Sequence, residues 1–248
     1  MKVVVIIPSR YGSSRFEGKP LADLCGKPMI QWVVQRAGKA DCVDSVHVAT
    51  DDMRIRDAVE GFGGKVIMTS SKCRSGTDRV AEAAADLKLA MSDVVVNIQG
   101  DQPMVDPRCL DALVRTFHED PEVKMSTLAF AIVDPREISD PKDVKVVFDT
   151  HGDALYFSRA AIPLGRDTSH GYDTFKHLGV YAYTRKFLER FRALAPGRLE
   201  EIEKLEQLRA MEHGYRIRVV VTPYDSPEVD LPVDIQRIRE KIRAMGLC

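Results

Sequence analysis

Two rhythms of apolar residues alternate along the chain. Val3-Val4-Val5-Ile6-Ile7 is an unbroken β-branched run within residues 2–7 and reads as a strand buried on both faces. Residues 28–38 then carry Met29, Trp32, Val33 and Ala37 at helical spacing, with Pro28 suited to a first helical turn. The alternation continues with a strand at 45–49, a helix at 52–61, a short strand at 65–68, a helix at 77–89 capped by Thr77, and a buried strand at 93–98. Such alternation predicts an α/β fold: a mainly parallel, Rossmann-like sheet flanked by helices. The second half is less regular. It predicts strands at 124–130, 144–149, 154–157, 177–183 and 217–222, and helices at 107–118, 185–193, 198–213 and 232–244. Residues 133–175, rich in Pro, Asp and Gly, read as a small β excursion from one domain spanning 1–248.

Composition narrows the function. A hydrophobic share of 44% and a charged share of 29% are ordinary for a soluble globular protein. A formal net charge of -1 gives no support for a nucleic-acid partner. The apolar run at the N-terminus is too short for a membrane span or a signal-peptide core, so a soluble, cytoplasmic protein without membrane insertion is expected. The five cysteines (Cys25, Cys42, Cys73, Cys109 and Cys248) are odd in number, widely spaced and without C-x-x-C. They suggest reduced thiols, with neither a zinc site nor a disulfide framework.

Four polar segments stand where an α/β sheet binds ligands, at strand ends and helix starts. Residues 8–20 follow the first strand and hold Arg10, Arg15 and Lys19 with Gly12 and Gly18, a cationic, tightly turning loop suited to a polyphosphate. The loop is neither G-x-G-x-x-G nor a P-loop, because Pro20 stands where Ser or Thr is needed, and a solvated basic loop is the plainer alternative. Arg74-Ser75-Gly76-Thr77-Asp78-Arg79 precedes a helix and either caps it or offers N–H groups to a base edge or anion. Asn97-Ile98-Gln99-Gly100-Asp101-Gln102-Pro103 puts Asp101 just past a buried strand, placed to hold Mg²⁺ against a triphosphate or to sit in a turn before Pro103. In Glu228-Val229-Asp230-Leu231-Pro232-Val233-Asp234, Asp230 is either a second metal ligand or a carboxylate near a helix start.

Together, in order and over essentially the whole chain, these segments resemble the Kdo cytidylyltransferases (CMP-Kdo synthetases), whose fold is that of the nucleotide-diphospho-sugar transferases. The matching stretches are Ile7–Tyr11 through Arg15, Gly18–Leu21, Ser75–Arg79, Val96–Asp101, Ala154–Ala160 with Ile162-Pro163, Lys176–Tyr183 and Leu205–Arg209. The resemblance implies that Arg10, Arg15 and Lys19 hold the CTP triphosphate. Ser75, Gly76 and Gln99 would lie near cytosine and ribose. Asp101 and Asp230 would ligate Mg²⁺, and Arg159, His177, Tyr181, Glu206 and Gln207 would hold Kdo (3-deoxy-manno-octulosonate). It further implies CMP transfer to Kdo for lipopolysaccharide synthesis, and a homodimer for which the 133–175 excursion offers a contact. Taken alone, the sugar-site residues read more simply: Arg159 as a surface charge, His177 and Tyr181 as core, Glu206 and Gln207 as a solvated helix face.

The chain departs from the family pattern in three places. Gln102 replaces the Glu of Gly-Asp-Glu-Pro, Phe16-Glu17 stands where Leu-Pro precedes Gly-Lys, and Leu231-Pro232-Val233-Asp234 follows Asp230. Other readings are a cytidylyltransferase for 8-amino-Kdo or another acid sugar, a dehydrogenase on a Rossmann sheet, which the missing glycine fingerprint opposes, and a CTP-binding protein without catalysis.

Overall fold

In a computed structural model describing residues 1–13, 15–167 and 171–248, the first apolar run forms strand β1 (Val3–Ser9), buried along its whole length. Ser14 of the basic loop and residues 168–170 of the excursion lie outside the described residues. A two-stranded hairpin, β2 (Asp23–Leu24) and β3 (Lys27–Pro28), precedes α1 (Met29–Ala37), so Pro28 is the cap of that helix and not its first turn. Then follow β4 (Ser45–Thr50), α2 (Met53–Gly61), β5 (Lys65–Met68), α3 (Gly76–Asp86), β6 (Val94–Asn97) and α4 (Pro107–Glu119). The cap of α3 is Ser75, whose hydroxyl accepts from Asp78 N at 3.1 Å, and not Thr77. Ser75 has the extended backbone that a cap requires, and Thr77 is freed for another partner.

The second half supplies β7 (Met125–Ala131), α5 (Arg136–Ser139), β8 (Lys145–Phe148), β9 (Ala154–Ser158), β10 (Phe175–Thr184), α6 (Arg185–Arg192), α7 (Arg198–Glu203), α8 (Leu208–Glu212), β11 (Arg218–Thr222) and α9 (Asp234–Ala244). The main sheet runs β11-β7-β10-β6-β1-β4-β5, with β8 and β9 joined at its side. Strand β1 pairs in parallel with β4 and β6, while β10 runs antiparallel to β6 and β7. Helix layers cover both faces. One apolar cluster gathers Ile30, Val33, Leu110 and Leu113 beneath β1 and β6, and another gathers Val80, Ala84, Phe187 and Leu188 above them.

Three differences from the pattern-based reading shape the site. The helix expected over 198–213 is broken into α7 and α8 at Lys204, which adopts φ 55, so residues 204–207 turn inward. Strand β10 bulges between His177 and Tyr181, where Gly179 takes φ 66. Cys25 and Cys248 are joined, their Cα atoms 5.9 Å apart across 223 residues of sequence, so the reading of all five thiols as reduced is corrected. Ile238 and Ile242 of α9 pack with Leu24 and Met29, carrying the C-terminus to the β2–β3 turn. Spacing along the chain gave no sign of that meeting.

Candidate functional site

The loop after β1 closes on itself through Gly18, whose N–H donates to the Tyr11 carbonyl at 2.9 Å while Gly18 adopts φ 68. A side chain there would strain the backbone and meet the Tyr11 ring. The closed loop delivers Lys19 to the end of β6. There its Nζ donates to Asp101 Oδ2 at 2.5 Å and stands 3.8 Å from Asp230 Oδ1. Arg15 reaches Asp230 Oδ2 at 3.3 Å, and Lys142 reaches the same oxygen at 3.8 Å. The Val229 N–H donates to the Asp101 carbonyl at 3.0 Å, which fixes the late segment carrying Asp230 against the end of β6.

A cleft of about 280 Å³ opens between this loop, the start of α3 and the end of β6. It is lined by Arg10, Arg15, Lys19, Ser75, Gly76, Gln99 and Asp101. All the residues expected to meet the nucleotide therefore converge. Gly100 is needed in its floor, since a Cβ there would lie 2.7 Å from Ser9 Oγ. Three cations beside a helix N-terminus make a site for an anionic, phosphate-bearing ligand.

A second, larger cavity of about 930 Å³ shares Arg15, Gln99 and Asp101 with the first and extends over β10. Arg159, His177, Tyr181, Glu206, Gln207 and Asp230 all line it. Arg159 is braced by the carbonyls of Glu203 and Pro141, at 2.8 and 2.9 Å. His177 packs between the Phe157 and Tyr181 rings, and burial pushes its pKa down to about 3, so it is a neutral imidazole. The Thr127 hydroxyl donates to the Val180 carbonyl, so its contact with His177 Nε2 at 2.9 Å is donated by the ring. Burial raises the Tyr181 phenol well above its usual range, and it too stays neutral.

Glu206 joins the two cavities. Its carboxylate accepts from the Thr77 hydroxyl at the start of α3, and burial raises its pKa. Gln207 is buried with Nε2 lacking a partner, a donor left for a ligand. The break at Lys204 puts both residues here; an unbroken helix over 198–213 would have spread them along a solvated face.

The departures from pattern resolve locally. Glu17 is exposed, away from the cleft. Leu231 is half-exposed, and Asp234 accepts from the N–H groups of Asp230 and Leu231, each at 2.9 Å, holding the turn that aims Asp230. Gln102 is fully buried. The sequence reading missed Glu228, which lines the larger cavity; burial first, then Asp101 and Asp230, push it up to about 8. The only signal was its place two residues before Asp230.

The residues present fit a divalent cation. Asp101 Oδ1 is buried without a partner, and the Lys19 ammonium sits between Asp101 and Asp230 as a stand-in positive charge. Hard oxygen donors facing a phosphate-binding cleft suit Mg²⁺.

A family model described as cytidylyltransferase matches residues 4–217. A 3-deoxy-manno-octulosonate cytidylyltransferase of Desulfatibacillum aliphaticivorans is 63% identical, covering 98% of this chain and 99% of that protein. An 8-amino-3,8-dideoxy-manno-octulosonate cytidylyltransferase of Shewanella piezotolerans is 58% identical, covering 95% of this chain and 96% of that protein. A solved CMP:2-keto-3-deoxy-manno-octonic acid synthetase complexed with CTP superposes with a TM-score of 0.93 at 43% identity, over 99% of this chain and 100% of that one.

Proposed function

The chain belongs to the cytidylyltransferase family, and from that premise we propose that it transfers CMP from CTP to the anomeric hydroxyl of Kdo, yielding CMP-Kdo and pyrophosphate for lipopolysaccharide synthesis. The observation that carries this reading is the meeting of two cavities at Arg15, Gln99 and Asp101, the first also lined by the cations Arg10 and Lys19, the second by Arg159, Glu206 and Asp230.

In this scheme Arg10, Arg15 and Lys19 bind the triphosphate, with Ser75, Gly76 and Gln99 beside cytosine and ribose. Arg159 takes the sugar carboxylate, while neutral His177 and Tyr181 with Glu206 and Gln207 orient the sugar hydroxyls. The anomeric oxygen bonds to the α-phosphorus, the bond from that phosphorus to the bridging oxygen breaks, and the hydroxyl proton leaves to solvent. Catalysis by these side chains is positioning and charge stabilisation: Arg15 and Lys19 offset the negative charge growing on pyrophosphate. Asp101 and Asp230 would hold Mg²⁺, which supplies Lewis-acid charge at the phosphate oxygens.

A second acceptor, 8-amino-Kdo, is kept because relatives of that name are 54–58% identical to this chain. A CTP-binding protein without catalysis is disfavoured by the full set of convergent groups. We place the activity in the cytoplasm, consistent with the absence, among the described residues, of any helix long and apolar enough to cross a membrane. We also propose one catalytic domain over 1–248 and a homodimer using the 133–175 excursion, where β8 and β9 stand off the main path of the sheet. Pyrophosphate release from CTP, tested with each sugar acid, decides among these readings.

A further inference from the structure

Thr77, Tyr183 and Asn97 form a chain of buried polar groups that runs between the two cavities and lines neither. Thr77, left free because Ser75 caps α3, donates its hydroxyl to Glu206 Oε2. The Tyr183 phenol hydrogen-bonds both Thr77 and Asn97. Asn97, at the end of β6, accepts from Gln99 Nε2 at 3.2 Å through its Oδ1. The chain thus ends at Gln99, which lines both cavities, and at Glu206, which lines the larger one.

Each proton in this chain has one place to go, because a hydroxyl carries a single proton. Thr77 gives its own to Glu206, so its oxygen accepts from Tyr183. Tyr183 has then given its proton, and its oxygen accepts from the Asn97 amide, which agrees with Asn97 Oδ1 facing Gln99. On the other side of Glu206, Arg209 stands 3.6 Å from Oε1 and is committed to Glu200 at 2.5 and 2.8 Å. Ser75 adds a second hydroxyl contact to Glu206, but Ser75 faces the nucleotide cleft, whereas Thr77 is turned inward. We propose that Thr77 is a positioning residue for the acceptor: backed by Tyr183 and Asn97, it holds the Glu206 carboxylate in the orientation that meets the sugar hydroxyls, and touches neither substrate. The inference rests on the reading of Glu206 as a sugar contact. Valine in place of Thr77 keeps the shape and deletes the hydroxyl, so Glu206 loses a donor and Tyr183 an acceptor.

The test is steady-state pyrophosphate release with Kdo and CTP varied in turn, with a thermal melt, on the full chain. The variants are Thr77→Val, Thr77→Ser, Tyr183→Phe, Glu206→Gln and the double variant Thr77→Val with Glu206→Gln. Thr77→Val loses a hydrogen bond to a charged group, so KM for Kdo is expected to rise about tenfold, while KM for CTP and kcat stay within about threefold of the parent. Thr77→Ser keeps the hydroxyl and should hold KM for Kdo within about threefold of the parent. Tyr183→Phe removes the next link and should raise KM for Kdo about threefold, which serves as the test where Thr77→Val does not fold. The double variant should bind Kdo no worse than Glu206→Gln, since the hydroxyl acts through that carboxylate. An unchanged KM for Kdo in Thr77→Val, or in Tyr183→Phe where Thr77→Val does not fold, overturns the inference. So do equal rises in both KM values, a Thr77→Ser enzyme no better than Thr77→Val, and losses that add in the double variant. An unchanged KM for Kdo in Glu206→Gln overturns the reading of Glu206 beneath it.

Discussion

Asp101→Asn separates what the cleft does for stability from what it does for chemistry. Asp101 pairs with Lys19 at 2.5 Å, with side chains 21% and 15% exposed. At an effective dielectric near 20 that contact has a gross Coulomb energy of about 7 kcal/mol. Desolvation of both ions cancels most of it, and Lys19 keeps Asp230 at 3.8 Å when Asp101 is neutralised. The net loss is then on the order of 1–2 kcal/mol, the value of a charged hydrogen bond. For a chain of this size that lowers the melting midpoint by roughly 2–8 °C. Turnover depends on the same carboxylate as cation holder at the reacting phosphate, and losing one such group costs about 10²–10³ in kcat. The assay is pyrophosphate release under saturating CTP and sugar acid, with circular dichroism and a thermal melt on the same sample. Turnover within tenfold of the parent would refute the assignment of Asp101. A collapsed melt would show that the carboxylate serves the fold and not the reaction.

Other outcomes follow from the same geometry. Arg159→Lys should raise KM for the sugar acid about tenfold and leave KM for CTP unchanged, because an ammonium cannot brace on both the Glu203 and Pro141 carbonyls and still present a planar fork; steady-state kinetics with each substrate varied checks this. His177 resists protonation in the folded protein while an unfolded histidine binds a proton near 6.5, so folding stability should fall as pH drops from there toward 3. His177→Gln should flatten that stretch of the stability curve in urea titrations at a series of pH values, and the activity profile should show no histidine limb near 6.5. Thiol titration in denaturant should count Cys42, Cys73 and Cys109 in protein kept from reductant, and all five cysteines after reduction.

How much of this was legible in the sequence varied with the range of the interactions involved. Strands β1 and β6 were plain because both faces are buried, which forces the continuous β-branched runs that the eye finds first. The phosphate loop was legible because its cations and glycines are contiguous. What failed depended on contacts distant in sequence or on single backbone torsions. Nothing in the period of residues 198–213 announces the left-handed turn at Lys204, yet that turn carries Glu206 and Gln207 into the cavity. The contact of Glu228 with Gln102, 126 positions earlier, was likewise out of reach of local pattern. The Cys25–Cys248 link required the packing of α9 on the β2–β3 hairpin.

The central claim is CMP transfer to a Kdo-type acid at the junction of the two cavities. Its most direct test is pyrophosphate release by purified protein with CTP and Mg²⁺ in the presence of Kdo, 8-amino-Kdo, a sialic acid or no sugar, each repeated with EDTA. The account predicts release with Kdo that EDTA abolishes. Release with 8-amino-Kdo alone would move the acceptor and keep the chemistry, while CTP binding without pyrophosphate release from any sugar would contradict the account.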